Sequence, residues 1–478
     1  MLLRVIGWLL LTEAGMMTIP CIVGMLYKEG SAIQFLICIG ITAVCGLALM
    51  SLRPKSRDMG KREAVLLTGM TWIILSIFGM LPFLVCRTHF SMADAFFETM
   101  SGFTTTGASV LDTLEGVPHS ILIWRCIAQW IGGLGIILFT LAIVPMLNYT
   151  GGIQLFNAEV TGITHDKLRP RIGSTSKGLW MVYISLTVIL FVLLLCSEMD
   201  LFDALCYGLS TMSTGGFANS DMSLGRWDSN YIKVVMTIFM FLGGINFSLL
   251  FKAANGRWTD LLRNDALKAY LLIIFLSFLT FSINILVNDL GKDWTDYTID
   301  PLFQAVSIIS STGITEPDFN DWGAVSVIVV IIMMFMGACA GSTSGGAKID
   351  RFLILGRFLR NEFYRNMHPN AIRTVVINGK GTPQPIVMRT LAFLFLYLIV
   401  IILGAMALMM CGLPLKDGFF CALSTVSNTG LGTDVTGIAG NYSNVPDLAK
   451  WILSFLMLTG RLELYTILLL FTPAFWKK

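Results

Sequence analysis

The sequence is short of charge, of histidine and of any cysteine pattern. Only 13% of its 478 residues are charged, about half the share found in ordinary soluble domains. Its four histidines are far apart, and its ten cysteines form no Cys-x-x-Cys pair. There is no catalytic Ser/His pattern and no metal-ligand spacing, so nothing favours an enzyme. The net charge is only +3, and we expect no nucleic-acid partner.

Hydrophobic residues make up 55% of the chain. They form about ten runs of about 20 residues, the length that a helix needs to cross a hydrocarbon core of about 30 Å. The first run continues to about Leu26 without a small-residue cleavage pattern, and we expect it to stay as a helix. The remainder is too small for a soluble domain. The sequence therefore predicts an all-α polytopic membrane protein.

Basic residues are concentrated in alternate loops. Most of the 33 Lys and Arg lie near the two termini or in the segments 53–62, 148–177, 252–268 and 348–389. By the positive-inside rule, these segments and both termini are cytoplasmic. Most of the 30 acidic residues lie in the opposite loops, where they either concentrate cations or only solubilise the surface.

A short Thr-Gly element occurs four times, each time between two long apolar segments. Its glycines are separated by 108, 98 and 117 residues (215 − 107, 313 − 215, 430 − 313), so the repeating unit is a whole transmembrane module. Each element follows a stretch too short to cross a bilayer. The four copies are Thr104-Thr105-Thr106-Gly107, Met212-Ser213-Thr214-Gly215, Ser310-Ser311-Thr312-Gly313 and Ser427-Asn428-Thr429-Gly430.

An aspartate lies 12 or 13 residues before each repeat glycine. An acid at that place can cap a helix N-terminus, and the intervening residues then make a half-length helix. The partly negative C-terminal end of such a helix, aimed at the membrane centre, favours a cation. The four acids are Asp94, Asp203, Asp300 and Asp417.

These signals predict four helix–pore-loop–helix repeats around a central pore, preceded by an N-terminal two-helix hairpin. The hairpin is expected at residues 1–52, and the repeats at 53–160, 161–258, 259–365 and 366–478. The outer helices are expected near 64–86 and 121–147, 176–199 and 231–252, 268–290 and 323–352, and 386–411 and 447–473.

Non-helical backbone at membrane depth is tolerated only where protein or water satisfies it, so four such segments favour a water-filled axis. Glycine allows consecutive carbonyls to face one axis, and rings of carbonyl dipoles replace the hydration shell of an ion. One Thr-Gly pair could be a simple helix stop, but four equivalent copies favour a pore lining. Neutral oxygens suit sodium as well as potassium, so these residues leave the ion open.

Four segments carry a more specific signal. They are Phe96-Phe97-Glu98-Thr99-Met100-Ser101-Gly102-Phe103-Thr104-Thr105-Thr106-Gly107-Ala108, Gln129-Trp130-Ile131-Gly132-Gly133-Leu134-Gly135-Ile136, Gly341-Ser342-Thr343-Ser344-Gly345-Gly346 and Gly460-Arg461-Leu462-Glu463. Together they make the chain resemble the TrkH potassium-uptake subunits of the Trk/Ktr/HKT superfamily, over essentially its whole length.

The resemblance implies a potassium filter in a multi-pass protein of the bacterial cytoplasmic membrane. In the family, a serine at the first filter position is associated with sodium permeation, so glycine at all four positions implies potassium as the permeant ion. No organic cofactor is implied. Met212 and Asn428 depart from the hydroxyl pattern of the other copies. The filter residues are then Thr105, Thr106, Gly107, Ser213, Thr214, Gly215, Ser311, Thr312, Gly313, Asn428, Thr429 and Gly430.

The resemblance also implies partners. Besides membrane lipid, these are a second copy in a homodimer and a separate cytoplasmic nucleotide-binding ring of the TrkA kind. The basic segment 348–389 is either a docking surface for that ring or simply a consequence of positive-inside topology.

The second helix of repeat three is expected to break inside the membrane. It is apolar from Ala324 to Met336, only about 20 Å, before a Gly/Ser-rich segment that leads to Lys348. In the family, the matching loop is thought to obstruct the pathway. The alternatives are a small-xxx-small packing face and a phosphate loop, and the latter lacks a Ser or Thr after Lys348. The gate candidates are Gly341, Ser342, Thr343, Ser344, Gly345, Gly346 and Arg461.

Arg461 lies in the middle of the last apolar span, where a charge is expensive and is by default a functional candidate. Glu463 would not share its helix face, so loop carbonyls near 341–346 or pore water are better partners. The resemblance implies that Arg461 faces the pore below the filter and raises the barrier for a cation. The alternative is a charge paired with a helix of another repeat.

A second function class and two further charges remain. An alternating-access carrier coupled to protons or sodium also uses broken helices, although it normally shows two related halves rather than four repeats. Channel-like and ion-coupled transport both stay open. Arg125, near its helix start, is expected to snorkel outward, and Glu13 to face a helix interface or the subunit boundary. Neither has an assigned role.

Overall fold

The computed structural model describes residues 2–52, 61–86, 90–133, 135, 172–227, 229–291, 293–315, 321–433, 436 and 441–477. Within them the regular secondary structure consists of α-helices, one 3-10 turn at Ser223–Arg226, one two-stranded hairpin and an isolated bridge between Ser109 and Asn441. The helices are α1 Leu2–Met16, α2 Thr18–Leu26, α3 Ser31–Ser51, α4 Lys61–Gly79, α5 Leu81–Val85, α6 Met92–Phe103, α7 His119–Gly133, α8 Ile172–Leu195, α9 Leu201–Met212, α10 Asn230–Gly243, α11 Phe247–Ala254, α12 Trp258–Leu262, α13 Asp265–Val287, α14 Trp294–Ile309, α15 Ala324–Met336, α16 Ile349–Met367, α17 Gln384–Met410, α18 Leu415–Val426, α19 Asp447–Arg461, α20 Tyr465–Leu470 and α21 Pro473–Trp476.

Membrane-spanning helices form the outer part of the molecule. Among the described residues, six helices are long and apolar enough to cross a bilayer, and a bent pair makes a seventh. Their outward faces carry exposed leucine, isoleucine and valine, as lipid contact requires. The predicted polytopic all-α class is confirmed, and so is the N-terminal hairpin, in which α1 and α2 pack on α3.

Each repeat begins with a long outer helix and continues with a half-length helix. The outer helices are α4 with α5, α8, α13 and α17, and the half-length helices are α6, α9, α14 and α18. The second outer helix of repeat one is described only to Gly133. The rest of its predicted range, to residue 147, and the predicted boundary near residue 160 lie outside the described residues.

Two of the predicted second outer helices are wrong as single spans. The span expected at 231–252 bends by 104° between α10 and α11. Asn246 causes the new start, because its side-chain oxygen accepts the backbone N–H of Ser248 at 2.8 Å and so caps α11. The span expected at 447–473 ends at Arg461, because Glu463 and Leu464 both have positive φ, which a right-handed helix does not allow.

The interrupted helix of repeat three agrees with the prediction. Helix α15 covers Ala324–Met336, and the next helix begins at Ile349. The residues between them are not helical, and Gly337, Gly341 and Gly346 all have positive φ. A continuous small-xxx-small helix face is therefore excluded here.

A β-hairpin in the basic segment was not predicted. Strands β1 Val375–Ile377 and β2 Lys380–Thr382 pair antiparallel. Their two-residue turn is Asn378-Gly379, with φ of 49° and 74°. This dipeptide is the strongest short-range hairpin signal in a sequence, so the hairpin could have been found.

Glu13 faces a helix interface within the subunit. Its side chain is 3% exposed and borders a small cavity shared with Leu75 and Trp180. Among the described residues, neither of its carboxyl oxygens has a hydrogen-bond partner. Of the two positions expected for Glu13, the structure gives the helix interface.

Candidate functional site

The four half-length helices begin slightly earlier than their marker acids. Ser91 caps α6, with Asp94 as its partner in a capping box, and Asp200 caps α9. Helix α14 begins at Trp294, so Asp300 lies inside it. The spacing located the helices correctly. Asp94 takes part in the cap of its helix through the capping box, as expected, whereas Asp203, Asp300 and Asp417 do not occupy the N-cap position.

All four half-length helices end in the same Schellman turn. The first residue past each helix is a Thr or Ser, and the second has a left-handed φ between 51° and 54°. The backbone N–H of the third residue donates a hydrogen bond to the carbonyl five residues earlier, at 2.9 Å in every copy. A left-handed conformation is unfavourable for Thr and Ser, whereas Asn adopts it readily, and such strain concentrates at functional sites. The four residues in this conformation are Thr105, Thr214, Ser311 and Asn428.

The structure shifts the second repeat by one residue. Gly216, with φ of 83°, is equivalent to Gly107, Gly313 and Gly430, whereas Gly215 has no positive φ. The aligned copy is therefore Ser213-Thr214-Gly215-Gly216, which removes the anomaly of Met212. With this alignment the second acid also lies 13 residues before its glycine (216 − 203), as in the other three repeats.

The four aligned glycines form a closed ring, called here the glycine ring. Each lies so close to a backbone carbonyl of the next repeat that an added Cβ would be only 1.9–2.3 Å from the oxygen. No side chain fits at such a distance, so glycine is required for the repeats to meet. The pairs are Gly107 with Gly215, Gly216 with Thr312, Gly313 with Thr429, and Gly430 with Thr106.

A cavity of about 150 Å³ borders the glycine ring on the side of the repeat loops. Three ring glycines line it, together with Asp112 and Asp221. Carboxylates at the mouth of a narrow cavity raise the local concentration of cations. The cavity and the ring together offer an entrance and then a set of carbonyl dipoles.

A buried ion pair stabilises the loop segments around Ser109 and Ala218, which line this cavity. Arg125 donates from Nε to Glu98 Oε1 at 2.7 Å, and both side chains are at most 2% exposed. Its other nitrogens donate to Ser109 Oγ and to the Ala218 carbonyl, and its guanidinium lies over the Phe217 ring. The expectation that Arg125 snorkels outward is therefore wrong, because its partner lies on the half-length helix of the same repeat.

Replacing Arg125 with Met should destabilise the protein by about 3–5 kcal/mol, because Glu98 would remain as an uncompensated buried charge. Unfolding of the detergent-solubilised protein would measure the loss. The matched control is Arg365→Met, which removes a pair with Glu362 in which both side chains are more than a third exposed. That control should change stability by at most about 1 kcal/mol. Equal effects of the two changes would contradict a supporting role.

The intramembrane loop 337–348 lies directly against the turns that end the half-length helices. Thr214 Oγ1 donates to Thr343 Oγ1 at 3.2 Å, and the Gly345 N–H donates to Ser311 Oγ at 2.5 Å. A Cβ on Gly345 would be 2.0 Å from the Ser427 carbonyl oxygen. The loop therefore contacts the turns of repeats two, three and four at once.

The remaining loop residues hold the loop in this position. The Gly341 carbonyl accepts the Phe247 N–H at 3.0 Å, and Ser342 Oγ donates to the Cys339 carbonyl at 2.7 Å. Ser344 Oγ accepts the N–H of Ala338 at 3.2 Å. The positive φ of Gly346 returns the chain alongside Gly337.

Arg461 joins the loop to repeat one. Its guanidinium donates to the Thr343 carbonyl at 2.7 Å, and to the carbonyls of Gly132 at 2.5 Å and Gly133 at 2.9 Å. The expected loop carbonyl is thus among its partners. Glu463 is paired with Arg351 instead, across a different interface.

In the part of the chain that the structure describes, the site does not have the charged ligands of a tightly bound metal ion. Within the described ranges, no group of three or more His, Cys, Asp or Glu side chains could hold a metal ion. The oxygens that converge are neutral, from carbonyls and hydroxyls. Such a set suits a weakly held monovalent cation.

Comparison with known proteins gives a consistent result. The family described as "TrkH: Cation transport protein" matches residues 31–478. The Trk system potassium uptake protein TrkH of Vibrio parahaemolyticus is 35% identical, over 100% of this chain and 99% of the relative. That of Escherichia coli K12 is 34% identical, over 99% of both chains. The crystal structure of the potassium transporter TrkH from Vibrio parahaemolyticus superimposes with a TM-score of 0.89 at 32% identity, covering 100% of this chain and 99% of that one.

Proposed function

The chain belongs to the TrkH family of cation transport proteins, and from that premise we propose that it takes up potassium through the glycine ring. The observation that carries the proposal is the closure of the ring: each repeat presents a carbonyl against a glycine of the next, four times. Relatives that match it end to end are named as potassium uptake proteins. The family is one of transporters rather than enzymes.

The electrostatics of the site favour a cation. Four half-length helices direct their partly negative C-terminal ends towards the ring, and each ends in carbonyls without an ionised side chain. We take Thr105, Thr106, Gly107, Ser213, Thr214, Gly216, Ser311, Thr312, Gly313, Asn428, Thr429 and Gly430 as the filter, with Gly215 contributing a carbonyl rather than the ring glycine. Glycine at every ring position supports potassium over sodium in this family.

The gate in this proposal is the intramembrane loop together with Arg461. The loop residues Gly341–Gly346 lie beneath three of the four turns, and Arg461 fixes the loop to α7. A cation leaving the ring would meet both backbone and a positive charge. Opening therefore requires the loop to leave the turns and Arg461 to release its carbonyls.

We further propose the orientation and partners that the family resemblance implies. The protein is multi-pass, and we place it in the bacterial cytoplasmic membrane with both termini inside, as a homodimer. Helix α16 carries the basic residues Arg357 and Arg360 beside exposed Leu359 and Phe363. Charge next to apolar surface suits docking of a cytoplasmic TrkA-type ring. The repeat boundaries given above remain predictions.

Flux into proteoliposomes tests the function. Purified protein should pass potassium down a gradient faster than sodium, and protein-free liposomes should pass neither. The variant Arg461→Ala should be measured in parallel, because it removes the proposed block. Equal potassium and sodium flux would contradict the filter, and no cation flux in either form would contradict the pore. Flux that requires an imposed proton or sodium gradient would favour the carrier alternative.

A further inference from the structure

The fourfold pattern of the filter is broken at one place. In three of the four-residue Thr-Gly copies, the residue before the ring glycine is a threonine, whose hydroxyl lies 2.7–2.9 Å from the hydroxyl of the first residue of that copy. This contact fixes the peptide whose carbonyl faces the neighbouring glycine. In repeat two the third residue is Gly215, which has no side chain to make it. The three hydroxyl pairs are Thr104 with Thr106, Ser310 with Thr312, and Ser427 with Thr429.

The space beside Gly215 is occupied by Gln129. A Cβ added to Gly215 would lie 2.4 Å from Gln129 Cδ, so the two side chains exclude each other. Gln129 Nε2 donates to the Gly215 carbonyl at 2.6 Å. Its Oε1 accepts from Ser210 Oγ at 2.9 Å and from the Phe217 N–H at 3.3 Å. The side chain is fully buried and is held on both sides of the filter turn.

We propose that Gln129 is a positioning residue of the filter, replacing the missing threonine side chain of repeat two and fixing the Gly215 carbonyl in the ring. The inference rests on the proposed function, since it assigns a role within the same filter. A carbonyl oxygen has two lone pairs, so it can accept from Gln129 and still present its other lone pair to an ion. An amide is suited to this place because it donates to the carbonyl while accepting from the turn on either side.

The position of Gln129 on α7 also places it near the residues that bind Arg461. It belongs to α7 of repeat one but orders the filter of repeat two. One turn further along α7, the carbonyls of Gly132 and Gly133 bind Arg461. The last turn of α7 therefore contacts the filter at one end and the gate at the other.

A mutant cycle on Gln129 and Gly215 tests the proposal, with the ratio of potassium to sodium flux as the readout. Gln129→Ala should lower the ratio about tenfold, the equivalent of one lost hydrogen bond at an ordered carbonyl. Gly215→Thr alone should lower it at least as far, because of the overlap with Gln129. In the double variant the flux ratio should recover to within about threefold of the wild-type ratio. The reason is that the new threonine enters the space left by Gln129 and makes the hydroxyl contact seen in the other repeats. The effects of the two substitutions are then not additive, which shows that positions 129 and 215 are coupled.

The control is Gln304→Ala, which removes a glutamine that is equally buried on the half-length helix of repeat three. It should leave the flux ratio unchanged even if it lowers stability. Gln129→Met, which is close in size but has no hydrogen-bond donor, should lower the flux ratio as Gln129→Ala does. It replaces the alanine variant in the test if that variant does not fold. An unchanged ratio in the Gln129 variants, or a double variant no better than Gly215→Thr, overturns the inference while selective wild-type flux upholds the proposed function. Unselective wild-type flux overturns both.

Discussion

Replacing Gly107 with Ser should abolish most of the preference for potassium over sodium. The new Cβ would lie 2.3 Å from the Gly215 carbonyl oxygen, which real contacts do not allow, so the ring must open at this point. Overpacking of this kind costs about 1–3 kcal/mol, which corresponds to a fall of about fivefold to 150-fold in the selectivity ratio. Bi-ionic potentials or paired flux measurements in proteoliposomes would record it.

Gly116 provides the matched control for this change. Its φ of 86° is close to the 84° of Gly107, but an added Cβ would meet nothing within 4 Å. Gly116→Ser therefore introduces the same backbone strain without touching the ring. It should retain the wild-type selectivity, and a variant Gly107→Ser that did likewise would rule out the glycine ring as the filter.

Removing the Arg461 side chain should raise potassium flux. A unit charge about 4 Å from a passing cation repels it by about 4 kcal/mol at an effective dielectric constant of 20, so relief of even a third of this gives about a tenfold increase. Arg461→Ala also releases the carbonyls of Thr343, Gly132 and Gly133, which frees the loop. Initial rates of potassium uptake at a fixed gradient measure the effect.

Arg461→Lys separates the charge from the hydrogen bonds. Lysine keeps the positive charge but replaces a planar fork, which can reach three carbonyls, with a single ammonium. If the positive charge is the barrier, the potassium flux of Arg461→Lys should stay near the wild-type rate. If attachment of the loop by hydrogen bonds is the barrier, that flux should approach the flux of Arg461→Ala. Arg461→Ala flux at or below the wild-type rate would refute the gate.

Local signals in the sequence account for the parts that were predicted. The half-length helices follow from apolar length and spacing, and the break after Met336 follows from a run of glycine and serine too close to the membrane centre. The register of repeat two was missed because two glycines are adjacent there. The constant spacing of 13 from Asp203 to Gly216 would have identified the right one.

Contacts between distant segments could not be predicted. Gln129 and Gly215 are 86 residues apart, and Arg461 and Gly132 are 329 apart. Nothing in the local pattern around Gln129 distinguishes it from an ordinary buried glutamine. Arg125 was misjudged for the same reason, since its position near a helix start suggested solvent, whereas Glu98 receives it inside the protein.

The closure of the glycine ring also sets when the pore can exist during synthesis. Repeat one meets repeat four through Asn428, whose Nδ2 donates to Thr106 Oγ1 across 322 residues of chain. At translation rates of about 5–20 residues per second, Thr106 waits about 16–65 s for that partner. Until then, the ring lacks its two contacts with repeat four, those of Gly313 with Thr429 and of Gly430 with Thr106. The ring is therefore closed last, and a chain cut short before its fourth repeat cannot complete it.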